Sequence, residues 1–157
     1  MKLISPFGCR PVCGLSLVSC QASVMTPSRP AVLFLCVHNA GRSQMAAGFM
    51  RHIAGARVDV FSAGSEPADA LNPTVVEAMA EKGIDISGET PERWTDEGIG
   101  AADVVVTMGC GDTCPVFPGK RYLDWELDDP SGQSIERVRE IRDAIELRVR
   151  GLLDELT

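Results

Sequence analysis

The chain has 157 residues, of which 45% are hydrophobic and 24% are charged, a composition typical of one globular domain with a hydrophobic core. Its formal net charge of −7 makes nucleic acid an unfavourable partner. Its six cysteines are too few for a disulfide scaffold in a chain of this length, so we expect chemically active thiols in a reducing, cytoplasmic setting.

The first 30 residues precede the first predicted strand and carry three basic and no acidic residues. Prolines and a glycine interrupt their apolar stretch, which is too short to span a membrane, so no membrane association is expected. We interpret residues 1–30 as a disordered tail or an overextended start, with Met25 as the natural start, and residues 31–157 as the domain. A signal peptide with a lipidated Cys20 is the alternative, because the preceding residues resemble a lipoprotein cleavage site.

Strands and helices are predicted to alternate along the domain. Short apolar or alternating runs predict four strands, at 31–36, 58–62, 103–108 and 121–125. Apolar residues at helical spacing, with start signals such as Asn72-Pro73, predict four helices, at 43–54, 73–82, 92–97 and 135–156. This alternation predicts a three-layer α/β fold, in which helices flank a small parallel sheet of about four strands.

The segment after the first strand carries the clearest chemical signal. Cys36 ends the strand, Arg42 follows after five intervening residues, and Ser43 opens the next helix. Backbone N–H groups of such a loop can turn inward around an anion, the helix N-terminus adds positive potential, and a guanidinium matches a tetrahedral oxyanion. A thiol beneath a bound anion is favoured as a thiolate nucleophile. We therefore predict Cys36 as the nucleophile of an anion-binding loop made of Val37, His38, Asn39, Ala40, Gly41 and Arg42.

Two further cysteines and an aspartate follow other predicted strands. Cys110 and Cys114 lie after the third strand, and Asp129 lies after the fourth. Because sites in parallel sheets lie beyond the carboxyl ends of the strands, we expect Cys36, Cys110 and Asp129 at one edge. Cys110 and Cys114 are candidates for a redox relay; as metal ligands they would need a second pair, which is not evident, so no metal site is predicted. Taken alone, Asp129 indicates a turn, because Asp-Pro is a common turn signal.

The motifs together resemble one family. In chain order they are Cys36–Ala46, Phe61–Gly64, Asn72-Pro73, Val105–Thr107, Cys110 to Pro115 and Asp128–Pro130. This set resembles the arsenate reductases built on the low-molecular-weight tyrosine phosphatase fold, and the similarity runs from about Val32 to the C-terminus.

The resemblance implies a chemistry for the predicted site. Arsenate enters the loop as a phosphate analogue, Cys36 attacks the arsenic, and Asp129 protonates the departing oxygen as general acid. Arg42 and the loop amides hold the remaining oxygens, Ser43 donates a hydrogen bond to the thiolate, and Asn39 braces the loop. No bound cofactor is implied.

The family offers two ways to release the Cys36 adduct. In one branch the small thiol mycothiol takes up the arsenic as a co-substrate, and mycoredoxin completes the reduction. In the other branch Cys110 attacks Cys36, arsenite leaves, and Cys114 resolves the disulfide, which thioredoxin then reduces. Three residues separate Cys110 from Cys114, a shorter spacing than the thioredoxin-coupled pattern has, so the sequence favours an arsenate-mycothiol transferase.

Two other functions remain as alternatives. A low-molecular-weight tyrosine phosphatase usually has proline after its Arg-Ser pair, where this chain has Gln44, and aromatic residues after its Asp-Pro pair, where this chain has Ser131-Gly132. A small, bare oxyanion therefore fits these positions better than phosphotyrosine does. The alternative outside the enzymes is an oxyanion or arsenite sensor that uses the thiols without turnover.

Overall fold

The computed structural model describes residues 28–109 and 116–157. Its strands are β1 (Ala31–Cys36), β2 (Asp59–Gly64), β3 (Val104–Thr107) and β4 (Arg121–Asp124). Its helices are α1 (Arg42–Ala54), α2 (Pro73–Ala80), α3 (Asp96–Ala101) and α4 (Ile135–Leu156), and a 3-10 turn, Gly55–Arg57, follows α1. All strand pairs are parallel, and the strand order is β2-β1-β3-β4.

The sheet is covered on both faces. Every residue of β1 is buried, because the strand lies between two others and its side chains alternate between two hydrophobic cores. The larger core contains Phe34 and Val106 of the sheet and the apolar faces of α1, α2 and α4. The smaller core, on the opposite face, contains Leu33 and Leu35 with Ile99 of α3. The predicted three-layer α/β fold with four parallel strands is confirmed.

The predicted helix at 92–97 is wrong, because α3 begins four residues later, at Asp96. Thr95 caps α3 by accepting the Gly98 N–H at 2.9 Å. The residues before it are extended, since Gly64 N–H donates to Glu92 O at 2.8 Å and Trp94 N–H donates to Gly64 O at 3.1 Å. This pairing with the end of β2 keeps residues 92–94 out of the helix.

The predicted start of the second helix agrees with the structure. The Asn72 side chain accepts the Thr74 N–H at 3.0 Å, and Pro73 is the first helical residue. The helix itself ends at Ala80, and a turn carries the chain on to Gly83, which has a φ of +75°. A left-handed residue after a helix is the conformation that glycine adopts at least cost.

A buried arginine joins α2 to α4. Arg142 is 6% exposed and donates to Ala78 O at 2.9 Å and to the Glu81 carboxylate at 2.8 Å. Arg139, one turn earlier, donates to the same carboxylate at 2.7 Å. Hydrogen bonds from Arg139 and Arg142 lower the pKa of Glu81 from 4.5 to about 2. These contacts fix the end of α2 on the long C-terminal helix.

Two groups of predictions lie outside the described residues. Residues 1–27 contain most of the predicted N-terminal extension, and residues 110–115 contain Cys110 and Cys114. Within residues 28–109 and 116–157, no helix is long and apolar enough to cross a membrane.

Candidate active site

The site lies where β1 ends and α1 begins. Cys36 is the last residue of β1 and is 2% exposed, and five loop residues connect it to Arg42, the first residue of α1. The loop packs on the end of β2, where Cys36 pairs with Gly64 in the strand register. A Cβ atom at Gly64 would lie 2.6 Å from Val37 O, so the loop can approach this closely only because residue 64 has no side chain.

The carbonyl groups of the loop all point away from its interior. Each carbonyl from residue 36 to residue 41 accepts one hydrogen bond, of 2.8–3.3 Å, from a donor outside these residues. The donors, in order, are Ser65 N, Glu66 N, Ala68 N, Gln44 Nε2, Asn72 N and Met45 N.

This pattern turns the N–H groups of the loop inward. In a trans peptide the C=O and the following N–H point in opposite directions, so outward carbonyls at 36–41 imply inward N–H groups at 37–42. Helix α1 has no side-chain cap at Gly41, which leaves the donors of its first turn for a ligand. The result is a ring of backbone donors at a helix N-terminus, an arrangement that binds anions.

The Cys36 thiol lies at the floor of this ring and has two polar neighbours. Its Sγ is 2.9 Å from Ser43 Oγ, and Asn39 N–H donates to it at 3.3 Å. Asn39 is fully buried and has a φ of +49°, a left-handed conformation that asparagine tolerates better than most residues. Donors directed at sulfur stabilise the thiolate, which is the nucleophilic form.

Arg42 forms one wall of the site. It is 8% exposed, and its Nη1 donates to Leu127 O at 3.3 Å. Its Nη2 lies 3.7 Å from Asp129 Oδ2. Gly109, at the exit of β3, packs directly on the guanidinium, because a Cβ atom there would lie 2.5 Å from Arg42 Nη1. The position of the guanidinium is therefore set from two strand exits at once.

Asp129 is a turn residue whose carboxylate also faces the site. Its Oδ1 accepts the Ser131 N–H at 2.9 Å, which is the hydrogen bond of an Asx turn, while Oδ2 faces Arg42. The side chain is about half exposed to solvent. The next residue, Pro130, lies on the loop: a Cβ atom at Gly41 would be 2.7 Å from its Cγ.

These groups surround a cavity of about 480 Å³. Cys36, Arg42 and Asp129 line it, together with His38 at its exposed rim. Most of the other lining residues are small: Ala40, Gly41, Ala68, Ala70, Ser131 and Gly132. Within the described part of the chain, no phenylalanine, tyrosine or tryptophan lines this cavity.

The structure brings Cys36 and Ser43 into contact at 2.9 Å and Arg42 and Asp129 within 3.7 Å. It does not describe Cys110 or Cys114, so their part in the site stays a prediction. In the described residues no group of three or more His, Cys, Asp or Glu side chains could hold a metal ion.

The sequence did not reveal three contacts of the site. They are the bonds from Gln44 to Asn39, the packing of Gly109 on Arg42, and the Leu127 carbonyl that accepts from Arg42. Only the contact between Gln44 and Asn39 could have been predicted from the sequence, because a side chain in the first turn of a helix leans back over the preceding loop.

A sequence model of the low molecular weight phosphotyrosine protein phosphatase family matches residues 31–157. The chain belongs to this family. A putative arsenate reductase from Halobacterium salinarum is 43% identical over 127 residues, which are 78% of this chain and 89% of that protein. A glutaredoxin arsenate reductase from Synechocystis is 36% identical over 129 residues, 80% of this chain and 98% of that protein.

Among solved structures, a thioredoxin-dependent arsenate reductase from Corynebacterium glutamicum has a TM-score of 0.75 and 48% sequence identity. The match covers 83% of this chain and 63% of that one, so our chain spans less than two thirds of the Corynebacterium chain. The family match and this structural similarity confirm the predicted low-molecular-weight phosphatase fold. The chain is therefore an enzyme of this family, and its relatives group it with members named arsenate reductases.

Proposed function

We propose that this chain reduces arsenate to arsenite, with Cys36 as the nucleophile. The observation that carries the proposal is the orientation of the loop, in which every carbonyl from residue 36 to residue 41 is bonded outward, so that the N–H groups that follow them turn inward. Such a ring, with Arg42 beside it, matches the oxygens of a tetrahedral oxyanion. The relatives named arsenate reductases support arsenate as that oxyanion.

In the first step the Cys36 thiolate attacks arsenic and a sulfur–arsenic bond forms. One arsenic–oxygen bond breaks, and the departing oxygen leaves as water after taking a proton from Asp129. Arg42 and the loop amides hold the remaining oxygens. The distance of 3.7 Å between Arg42 Nη2 and Asp129 Oδ2 supports Asp129 as this acid.

In the second step we propose that Cys110 attacks the sulfur of Cys36. A disulfide forms, the sulfur–arsenic bond breaks, and its electron pair reduces As(V) to As(III), which leaves as arsenite. Cys114 then attacks Cys110, so that the disulfide moves to Cys110–Cys114 and the Cys36 thiolate is regenerated. A dithiol protein finally reduces this disulfide.

Two relatives support a dithiol protein as the reductant. The Corynebacterium enzyme is thioredoxin-dependent, and the Synechocystis enzyme is a glutaredoxin arsenate reductase. We therefore place a thioredoxin-type reductant before mycothiol, although the sequence by itself favours mycothiol. Transfer to mycothiol, with reduction by mycoredoxin, is the second candidate, and the short spacing between Cys110 and Cys114 is the observation that favours it.

The cavity favours a bare oxyanion over a phosphate ester of a large alcohol. Six of its fourteen lining residues are alanine, glycine or serine, and the described lining offers no aromatic ring to flank a phenol. Aromatic pairs stabilise a bound ring by stacking, so their absence weakens binding of phosphotyrosine. Phosphatase activity on aryl esters is therefore expected to be weak.

One assay tests the proposal and its alternatives. The full chain is incubated with arsenate and either thioredoxin, thioredoxin reductase and NADPH, or mycothiol and mycoredoxin, and arsenite is measured. We expect turnover with thioredoxin, none in Cys36→Ser, and none in Cys110→Ser. Turnover only with mycothiol, retained in Cys110→Ser, would establish the second candidate instead. Rapid hydrolysis of p-nitrophenyl phosphate without arsenate turnover would make the chain a phosphatase, and no turnover of either substrate would leave an oxyanion sensor.

A further inference from the structure

Gln44 is a buried polar residue that the proposed reaction does not use directly. It is the third residue of α1, is 1% exposed, and leans back over the anion loop. Its Nε2 donates to both Asn39 O and Asn39 Oδ1, each at 3.1 Å. Its Oε1 is buried without a hydrogen-bond partner among the described residues. Burying Oε1 without a partner lowers the stability of the fold, so stability alone does not explain a glutamine at this position. The contacts of Nε2 with Asn39 indicate a second role.

The contacts of Asn39 determine which way its side-chain amide points. A backbone N–H can only donate, and Glu92 N–H donates to Asn39 Oδ1 at 2.9 Å. The Nε2 group of Gln44 donates to the same oxygen. Two donors on one atom identify it as the carbonyl oxygen, so the NH₂ group of Asn39 must face Ser43.

The same reasoning gives the direction of the bond at the thiol. Asn39 Nδ2 donates to Ser43 Oγ at 2.7 Å, so this hydroxyl acts as an acceptor from Asn39. The hydroxyl has one hydrogen, and its other polar neighbour is Cys36 Sγ at 2.9 Å. When Cys36 is a thiolate it can only accept, and the one hydrogen of Ser43, which the bond from Asn39 leaves free, can then be donated to the sulfur. This hydrogen bond stabilises the thiolate.

Gln44 also holds the backbone through which Asn39 contacts the thiol. Its second bond, to Asn39 O, fixes the residue in its left-handed conformation, with φ at +49°. In that conformation Asn39 N–H donates to Cys36 Sγ at 3.3 Å. Both donors that reach the sulfur, the Ser43 hydroxyl and the Asn39 amide, thus depend on how Asn39 is held.

We propose that Gln44 is a positioning residue, which sets the direction of hydrogen bonding at Cys36 through Asn39 and Ser43 and thereby stabilises the thiolate. The inference deepens the proposed function, since it rests on Cys36 as the nucleophile. It is tested without arsenate, so that its failure and the failure of the proposed function can be told apart.

The experiment measures the alkylation rate of Cys36 by iodoacetamide between pH 4 and pH 9, in the full chain, with the Cys36 peptide resolved by mass spectrometry. Gln44→Met keeps the length of the side chain and removes both donors. We expect its pH midpoint to lie about one unit above that of the wild type, which is a tenfold smaller thiolate fraction at low pH. The other charged or titratable side chains that line the cavity with Cys36 are His38, Arg42 and Asp129, and they are unchanged in this variant.

A matched control separates positioning from general loosening of the core. Met50 is fully buried in the same helix and contacts neither Asn39 nor Ser43 by hydrogen bonds. Met50→Ala should lower the melting temperature and leave the midpoint where it is in the wild type. An equal shift in Met50→Ala would overturn the proposal, because the effect would then be one of stability.

Two further variants complete the test. In an Asn39→Ala background, Gln44→Met should shift the midpoint less than it does in the wild type, because only the bond to the backbone carbonyl of residue 39 is left to remove. An undiminished shift would contradict the proposal. Gln44→Glu preserves the shape of the side chain and places a carboxylate against the two Asn39 oxygens. Its pH midpoint should therefore rise by at least about one unit above that of the wild type. This variant also serves as the test where Gln44→Met does not fold. An unchanged midpoint in the glutamate variant overturns the inference, whereas the proposed function is overturned separately, by the absence of Cys36-dependent arsenite production in the arsenate assay.

Discussion

Replacement of Gly109 by alanine should weaken oxyanion binding as well as lower stability. Gly109 has a φ of +80°, and the added Cβ atom would lie 2.5 Å from Arg42 Nη1. The guanidinium is the end of a flexible side chain, so it can move aside. This movement breaks the hydrogen bond of 3.3 Å from Arg42 Nη1 to Leu127 O and lengthens the 3.7 Å distance from Arg42 Nη2 to Asp129 Oδ2.

The sizes of the two consequences of this change can be compared. An alanine in the left-handed region costs about 1–2 kcal/mol of stability. A displaced arginine loses charge-assisted hydrogen bonds to the anion, each of about 1.5–3 kcal/mol, which corresponds to roughly ten- to a hundredfold weaker binding. The expected loss in free energy of oxyanion binding is therefore at least as large as the loss in free energy of unfolding.

Gly83→Ala provides the matched control. Gly83 has a similar φ of +75°, but a Cβ atom there would meet nothing within 4 Å. Both variants should lose similar stability in urea denaturation. The phosphate concentration that halves the rate of Cys36 alkylation should rise only in Gly109→Ala. If the phosphate concentration that halves the alkylation rate were the same in both variants as in the wild type, the idea that Gly109 positions Arg42 would be refuted.

Three further predictions concern the acid, the cap of α2 and its contact with α4. Asp129→Asn should lower arsenate turnover by about a hundredfold or more, the usual contribution of a general acid, while phosphate still protects Cys36 from alkylation. Asn72→Ala should lower the free energy of unfolding by about 1 kcal/mol in urea denaturation, because it removes an N-cap. Glu81 has its pKa lowered from 4.5 to about 2 by Arg139 and Arg142, so the stability it contributes is present above pH 4.5 and is lost as the pH falls towards 2. The stability difference between wild type and Glu81→Gln, measured in urea at several pH values, should therefore be constant near neutrality and shrink below pH 4.5; a difference that grows in acid would contradict this sign.

The order of strands and helices could be predicted because each element carries its own local pattern. The strand ending at Cys36 is an uninterrupted apolar run, and Asn72-Pro73 marks a helix start by itself. The exception, α3, shows the limit of such patterns. Residues 92–94 are held extended by bonds to Gly64, almost 30 positions earlier in the chain, and no local pattern records that contact.

In the candidate site, too, some contacts follow from local sequence and others depend on the path of the chain. Cys36, Arg42 and Ser43 lie within one loop and one helix turn, so their spacing alone brings them together. Asp129 could be assigned to this edge of the sheet, but its contact with Arg42 depends on the path of the chain after β4. The Leu127 carbonyl that receives Arg42 is a backbone atom, which every residue has, so no side-chain pattern could predict it.

The strand order explains why the loop after β1 can be held from both sides. Because β1 lies between β2 and β3, the chain segments that leave these two neighbours emerge on either side of Cys36. The segment after β2 supplies four of the six donors that bond the loop carbonyls, and Gly109 at the exit of β3 packs on Arg42. The orientation of the anion ring and the position of its arginine are thus set by separate segments. A substitution on one side can therefore change the affinity for the oxyanion through Arg42 while the thiol keeps its own hydrogen bonds, which is why Gly109 and Gln44 should produce different defects in the same alkylation assay.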